Sequence, residues 1–282
     1  MIFDAGLVSS AITSLTPILF AALAGALCQR AGVFNIALEG TLLIGCFGAV
    51  AGSWYTGSAW LGVLIAVLAA TAYSLILAIG TVTFDGDPIV LGVASNLLAV
   101  GLTSFLIRTV FGTQGSFSDP ALQGLGTFVG GHSLLVYLSW LAVPGLAILL
   151  YRHPWGLRLR GVGERPESAL SLGVPVTRYR YGVILAAGAL CGLGGAQLAL
   201  GSVTLFAENM TAGRGWIAVV AVLLGRANPF GVLLSALLFG LAEALGFRLQ
   251  GIGLPQQATD AAPYVVTLLA LFISSARKEK VA

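Results

Sequence analysis

The polar side chains that could do chemistry in this chain are few, and they stand in or beside long apolar runs. They are Asn35 and Glu39, Asn96, Gln197, Glu208 and Asn209, Arg214 and Trp216, and Glu243. An acid at the centre of a bilayer costs about 2.5–3.5 kcal/mol on insertion scales, so each such group needs a partner or a task. The chemistry these types offer is recognition. Amides and carboxylates can exchange hydrogen bonds with a polar solute or with a neighbouring helix, and an indole can stack. Bond-making chemistry has no support: there is no Ser/His/Asp order, no CxxC and no HExxH, and His132 and His153 sit at opposite ends of one apolar span. No metal or cofactor site is expected.

Each candidate has two readings. Asn35 and Glu39 are four apart and share a helical face. Either they line a polar passage, or Asn35 caps a span while Glu39 occupies its first turn, where the helix dipole favours an acid. Asn96 touches a solute or bonds across to another helix. Glu243, flanked by Gly240 and Ala244, suits an interhelical hydrogen bond at a close contact. The run ENMTAGRGW at 208–216 concentrates an acid, an amide, a hydroxyl, a base and an indole. It either turns free backbone donors of a helix N-terminus toward a passage or forms an interfacial belt anchored by Arg214 and Trp216.

One long stretch is polar throughout: RHPWGLRLRGVGERPESALSLGVPVTRYR, from Arg152 to Arg180. Within it PESALSL predicts a two-turn helix at 166–172, a rod of roughly 10 Å at 1.5 Å per residue. Pro166 suits the first helical position, and Glu167 complements the dipole. Gly173 can end the helix in the left-handed conformation, and Pro175 blocks continuation. Ala169 and Leu172, three apart, are expected on one small apolar face.

The surrounding elements must then be membrane spans. The 282 residues are 57% hydrophobic and 9% charged, with mean hydropathy +0.96, whereas soluble domains carry roughly a quarter charged residues. The pattern predicts an all-α, polytopic helical bundle, a single transmembrane domain over 1–282 with about eight to ten crossings. Spans are expected near 8–28, 34–53, 59–80, 88–110, 133–151, 181–203, 212–227, 229–248 and 263–276. The 38 glycines suit close helix packing, as at Gly188 and Gly192. The piece at 212–227 is short for a roughly 30 Å core and reads as a half-helix or re-entrant segment. Gly112–Gly131 is a Gly/Ser-rich loop, a lid, a docking surface or a connector.

Charge sets the orientation. With the 152–180 stretch and the C-terminus cytoplasmic, Arg108, Arg214 and Arg248 fall outside, and the other eleven of the 14 basic residues fall inside. The N-terminus is then external, and no basic residue precedes the first apolar run to suggest a cleaved signal. Cys28, Cys46 and Cys191 have no metal or redox spacing and read as small packing residues. No G-x-x-x-x-G-K-[ST] loop is present, and the only lysines are Lys278 and Lys280. If ATP drives this chain, a partner supplies it.

AGVFNIALEG (31–40), GLRLRGVGERPESALSLGV (156–174) and ENMTAGRGWIAVVAVLLGRANPFGVLLSALLFGLAEAL (208–245) together resemble permeases of bacterial ABC importers. The family serves simple sugars and nucleosides (the type II, branched-chain amino acid-like permeases), and the match is closest to nucleoside permeases. The resemblance implies a location in the bacterial cytoplasmic membrane and a second permease subunit. It also implies an ATPase with two nucleotide-binding domains and an extracytoplasmic substrate-binding lipoprotein. It places the ATPase-coupling pattern on Gly163, Glu164, Ala169 and Gly173, around the helix carrying Pro166, Glu167 and Leu172. Ala37 and Leu170 depart from the family pattern. The expected solute pathway is lined by Asn35, Glu39, Asn96, Asn209, Arg214 and Trp216. The solute is a nucleoside, with a sugar such as ribose as the alternative. Rival readings are an intramembrane lipid-linked transferase and an ion-coupled secondary transporter.

Overall fold

The structure is a computed structural model and describes residues 5–250. The span expected at 263–276 and the C-terminal basic tail lie outside the described residues.

Ten α-helices account for most of this length: α1 (Ala5–Arg30), α2 (Leu38–Thr56), α3 (Ala59–Ala78), α4 (Pro88–Phe111), α5 (Leu134–Tyr151), α6 (Pro154–Glu164), α7 (Pro166–Ser171), α8 (Val176–Ala196), α9 (Arg214–Leu224) and α10 (Pro229–Gln250). Six are long and apolar enough to cross a membrane: α1, α3, α4, α5, α8 and α10. The seventh long helix, α2, carries Glu39 and four glycines and sits inside the bundle, buried over most of its length. Polar and small residues are tolerated there because its neighbours, rather than lipid, surround it. α3 and α8 run on as π-helical turns, Ile79–Thr83 and Gln197–Val203.

Small residues set how close the helices come. An added Cβ at Gly188 would lie 2.5 Å from Ser74 Oγ, and one at Gly192 would lie 2.6 Å from the Val67 backbone. These two positions of α8 therefore pack against the backbone of α3, as their sequence context predicts. The core they close contains Leu19, Leu23, Leu38, Leu42, Val183 and Ile184, all fully buried.

The two ends of the bundle differ. At one end, the strand β1 (Ser116–Phe117) pairs with β4 (Phe206–Ala207). A hairpin joins β2 (Thr127–Val129) to β3 (His132–Ser133). The Phe117 ring stacks on Phe111 at 3.9 Å, and Ser53 Oγ donates to the Gln123 carbonyl at 2.7 Å. The 112–131 segment is thus folded down onto this end. The opposite end holds the α6–α7 hairpin and the turns after α1, α3 and α9, and it carries the arginine-rich stretch.

The 212–227 segment yields the eleven-residue α9, about 16 Å long at 1.5 Å per residue, the half-helix its brevity predicts. Two other expectations are corrected here. The second span starts at Leu38 rather than 34, after a non-helical 33–36 segment. The 152–180 stretch holds an additional helix, α6, started by Pro154 at its first turn and by the His153 ring accepting from Trp155 N–H.

Candidate functional site

The site is built where two helices start inside the bundle. α2 begins after the non-helical 33–36 segment, and α9 begins after the non-helical run 208–213. Backbone groups at such starts have no helical partner and must find one.

Asn35 and Asn96 serve the start of α2. Asn35 Oδ1 accepts from Ala37 N–H at 2.9 Å, an Asx turn leading into the helix. Asn96, on α4, reaches across. Its Oδ1 accepts from Gly40 N–H at 2.8 Å and its Nδ2 donates to the Ile36 carbonyl at 3.0 Å. One amide thus mends both sides of the break. Both asparagines are 7% exposed.

Glu39 serves the start of α9. Its two carboxylate oxygens accept from Gly213 N–H at 2.8 Å and Gly215 N–H at 2.5 Å. The acid, 6% exposed, therefore caps a helix other than its own, where free donors and the positive end of the dipole hold it. Glycine is required on both sides. Gly213 has φ +86°, and a Cβ on Gly215 would lie 2.4 Å from the Glu39 backbone.

Arg214, the first residue of α9, turns back. It donates to the carbonyls of Met210 and Thr211 and forms an ion pair with Glu243 of α10. The pair is largely buried, with side-chain exposures of 15% and 11%. Arg214 is therefore inside the bundle, which corrects its assignment to an outer loop. Glu243 makes the interhelical bond its surroundings suggest. Gln197, fully buried, bonds Ser133.

Asn209 and Trp216 differ from the rest. Asn209 is exposed in a left-handed conformation (φ +56°), and Trp216 is 42% exposed. Of the six expected pathway residues, the structure brings Asn35, Glu39, Asn96 and Arg214 together as a buried polar seam. Asn209 and Trp216 lie beside it on the surface of the described chain.

The far end of α9 was not foreseen. Arg226 and Ala227 follow it with φ +52° and +49°, a conformation costing roughly 1–2 kcal/mol for residues with side chains. Their carbonyls are both taken by Arg30, at the end of α1, whose Nε donates to Ala227 O at 2.9 Å and Nη2 to Arg226 O at 3.1 Å. In the sequence Arg30 is only a basic residue closing a span, and nothing adjacent marks its partner nearly 200 positions away.

At the arginine-rich end, α7 covers Pro166–Ser171 and Gly173 takes φ +77°, one residue shorter than expected with the same stop signal. Ala169 turns inward on Val162 and Val176, whereas Leu172 is 83% exposed beside Leu170 at 58%. The two do not share a face. The exposed apolar tip is Leu170 with Leu172, and Glu164 and Glu167 are exposed nearby. Gly163 ends α6 against the α1–α2 turn. A Cβ there would stand 2.3 Å from the Arg30 carbonyl oxygen and 2.9 Å from Gly32 N.

Comparison with known proteins agrees with this architecture. The family model for the permease component of branched-chain amino acid transport systems matches residues 7–273. The nucleoside ABC transporter permease protein NupC of Lactococcus lactis is 34% identical over 295 residues, covering 96% of this chain and 93% of that protein. The guanosine ABC transporter permease protein NupQ of Bacillus subtilis is 34% identical over 288 residues, covering 94% and 90%. The glucose ABC transporter permease protein TsgB13 of Haloferax volcanii is 28% identical over 280 residues, covering 89% and 72%. A solved ABC transporter of metal-chelate type in an inward-facing conformation shares the fold, with a TM-score of 0.56 at 19% identity over 92% of this chain and 85% of that one. With six helices among the described residues long and apolar enough to cross a membrane, a buried polar seam, and a family match over nearly its whole length, the chain belongs to the permease-component family of branched-chain amino acid-type ABC transport systems.

Proposed function

We propose that this permease imports nucleosides across the bacterial cytoplasmic membrane, powered by a partner ATPase. The observation that carries the reading is the end-to-end similarity to two permeases named for nucleoside and guanosine transport. The exposed Asn209 amide and Trp216 indole beside the seam suit such a solute. A base offers donors and acceptors on its edge and a flat face for stacking, and ribose offers hydroxyls.

In this reading the passage runs along the exposed side of the seam. Asn209 and Trp216 meet the solute, while Asn35, Glu39, Asn96 and Arg214 hold the backbone that shapes the passage. The arginine-rich end faces the cytoplasm, because basic residues are retained there. The ATPase, with two nucleotide-binding domains, grips the α6–α7 hairpin around Gly163, Glu164, Pro166, Glu167, Ala169, Leu172 and Gly173. The exposed Leu170 and Leu172 are the contact. A second permease subunit and an extracytoplasmic substrate-binding lipoprotein complete the importer. ATP binding moves the hairpin as a lever, and the bundle passes between outward- and inward-open states. Hydrolysis belongs to the partner.

A simple sugar is the second reading, favoured by the similarity to a glucose permease. Uptake by the reconstituted complex, competed in turn with purine nucleosides, pyrimidine nucleosides, ribose and glucose, separates the two. Competition by nucleosides alone supports the proposal, and competition by sugars alone refutes it.

A further inference from the structure

The half-helix α9 is held at both ends from either side of the α1–α2 break. Glu39 takes the free N–H groups at its N-terminus, and Arg30 takes the two carbonyls that follow its C-terminus. An acid at the positive end and a base at the negative end both complement the dipole. The residues between these two clamps, 31–38, include the turn on which α6 rests. Gly163 meets the Arg30 carbonyl and Gly32 there with no room for a side chain. Arg30 Nη2 also donates to Tyr151 Oη at 3.1 Å. The ring of Tyr151 lies between two guanidinium groups, Arg30 at 5.9 Å and Arg160 of α6 at 4.9 Å from its centroid.

Arg30 therefore touches everything that must move together. Its backbone seats the lever, its guanidinium holds the far end of the half-helix, and Tyr151 joins it to a second arginine on α6. The two carbonyls it holds belong to Arg226 and Ala227, residues in a conformation that persists only when surroundings impose it. We propose that Arg30 is a positioning residue for energy coupling, transmitting displacement of the α6–α7 lever directly to α9. The inference rests on the ATP-driven reading above and adds a specific route to it. A side chain that holds two elements at once passes the displacement of one to the other through direct contact.

The test uses the complete complex in lipid, with Arg30→Gln, Arg30→Lys and wild type compared. Two quantities are read: solute imported per ATP hydrolysed, and the nucleotide-driven distance change of spin labels at Ser168→Cys on α7 or Leu223→Cys on α9, each against Leu68→Cys on α3. All three label sites are exposed, and the native cysteines are buried. In wild type both distances should shift with an ATP analogue. In Arg30→Gln, which cannot bridge carbonyls and phenol together, the α7 shift should persist and the α9 shift should vanish. Solute per ATP should fall at least tenfold while ATP hydrolysis continues. Arg30→Lys, keeping the charge and fewer donors, should fall between, and it stands in if the glutamine variant does not assemble. An α9 shift of wild-type size in an assembled variant would overturn the proposal, as would uptake and hydrolysis falling in equal proportion. Label shifts in a wild-type complex that imports neither nucleosides nor sugars would instead indict the functional reading and leave the coupling route standing.

Discussion

Replacing Glu39 separates a residue that touches solute from one that holds a helix. Its carboxylate accepts two backbone N–H groups at the start of α9 and is almost wholly buried. Glu39→Ala leaves both donors without an acceptor, at about 1–3 kcal/mol each. It also removes an anion from a partly buried helix N-terminus, worth about 0.3–2 kcal/mol. The loss is then about 2–8 kcal/mol, set against the 1.4 kcal/mol that makes a tenfold change in an equilibrium. Even the lower bound lowers the equilibrium constant for an ordered α9 N-terminus more than tenfold. Glu39→Gln is the sharper probe. Its single amide oxygen can accept one N–H, but its NH2 then faces the other donor, so it should behave nearly as badly as alanine. Were Glu39 a solute ligand, the amide would keep most of the hydrogen bonding and only the apparent affinity would move. Hydrogen exchange of the 213–217 amides in the assembled complex should show lost protection in both variants, with uptake falling at least tenfold in maximal rate. Wild-type protection and rate in the glutamine variant would refute the assignment.

Arg214→Met strands Glu243 as an uncompensated buried charge and should destabilise by about 3–5 kcal/mol. The double variant Arg214→Met/Glu243→Leu should recover a large part, measured as thermal stability of the purified complex. Asn96→Leu, which unpairs Gly40 N–H and the Ile36 carbonyl, should cost about 2–6 kcal/mol at 1–3 per group. The loss should appear as faster exchange at the start of α2. Leu172→Glu places a charge on an exposed tip that nothing in the described chain covers. It should leave membrane insertion and thermal stability unchanged and abolish solute-stimulated ATP hydrolysis by the complex.

Much of the fold is written in local signals. Long apolar runs, Pro166 with Gly173, and the brevity of 212–227 each mark an element through physics that acts within a few residues. The spacing at Gly188 and Gly192 likewise declares a close helix contact before its partner is known. What the sequence leaves open is the use of the polar groups. Asn35 and Glu39 share a helical spacing, yet one closes its own turn and the other caps a helix more than 170 positions away. Arg214 lies in a polar run that reads either as a passage lining or as an interfacial belt, but its charge is met by Glu243 inside the bundle. α6 escaped because its two arginines and three glycines break the long apolar stripe of a buried helix, and its start depends on the His153 ring. Ala169 and Leu172 failed as a face because α7 is too short for periodicity to fix its rotation; packing against Val162 and Val176 decides it. Long-range pairing is a property of the assembled bundle, and no window of sequence contains it.

Four of the six non-glycine residues with positive φ among the described residues flank α9: Asn209, Ala212, Arg226 and Ala227. At such positions the usual ranking of residues is inverted, because glycine adopts this backbone without the clash that a Cβ brings. Ala212→Gly or Ala227→Gly should therefore deepen the well in which the half-helix rests, and a deeper well is slower to leave. A change that raises thermal resistance would at the same time make each transport cycle more sluggish, so native side chains at these points keep the half-helix ready to depart.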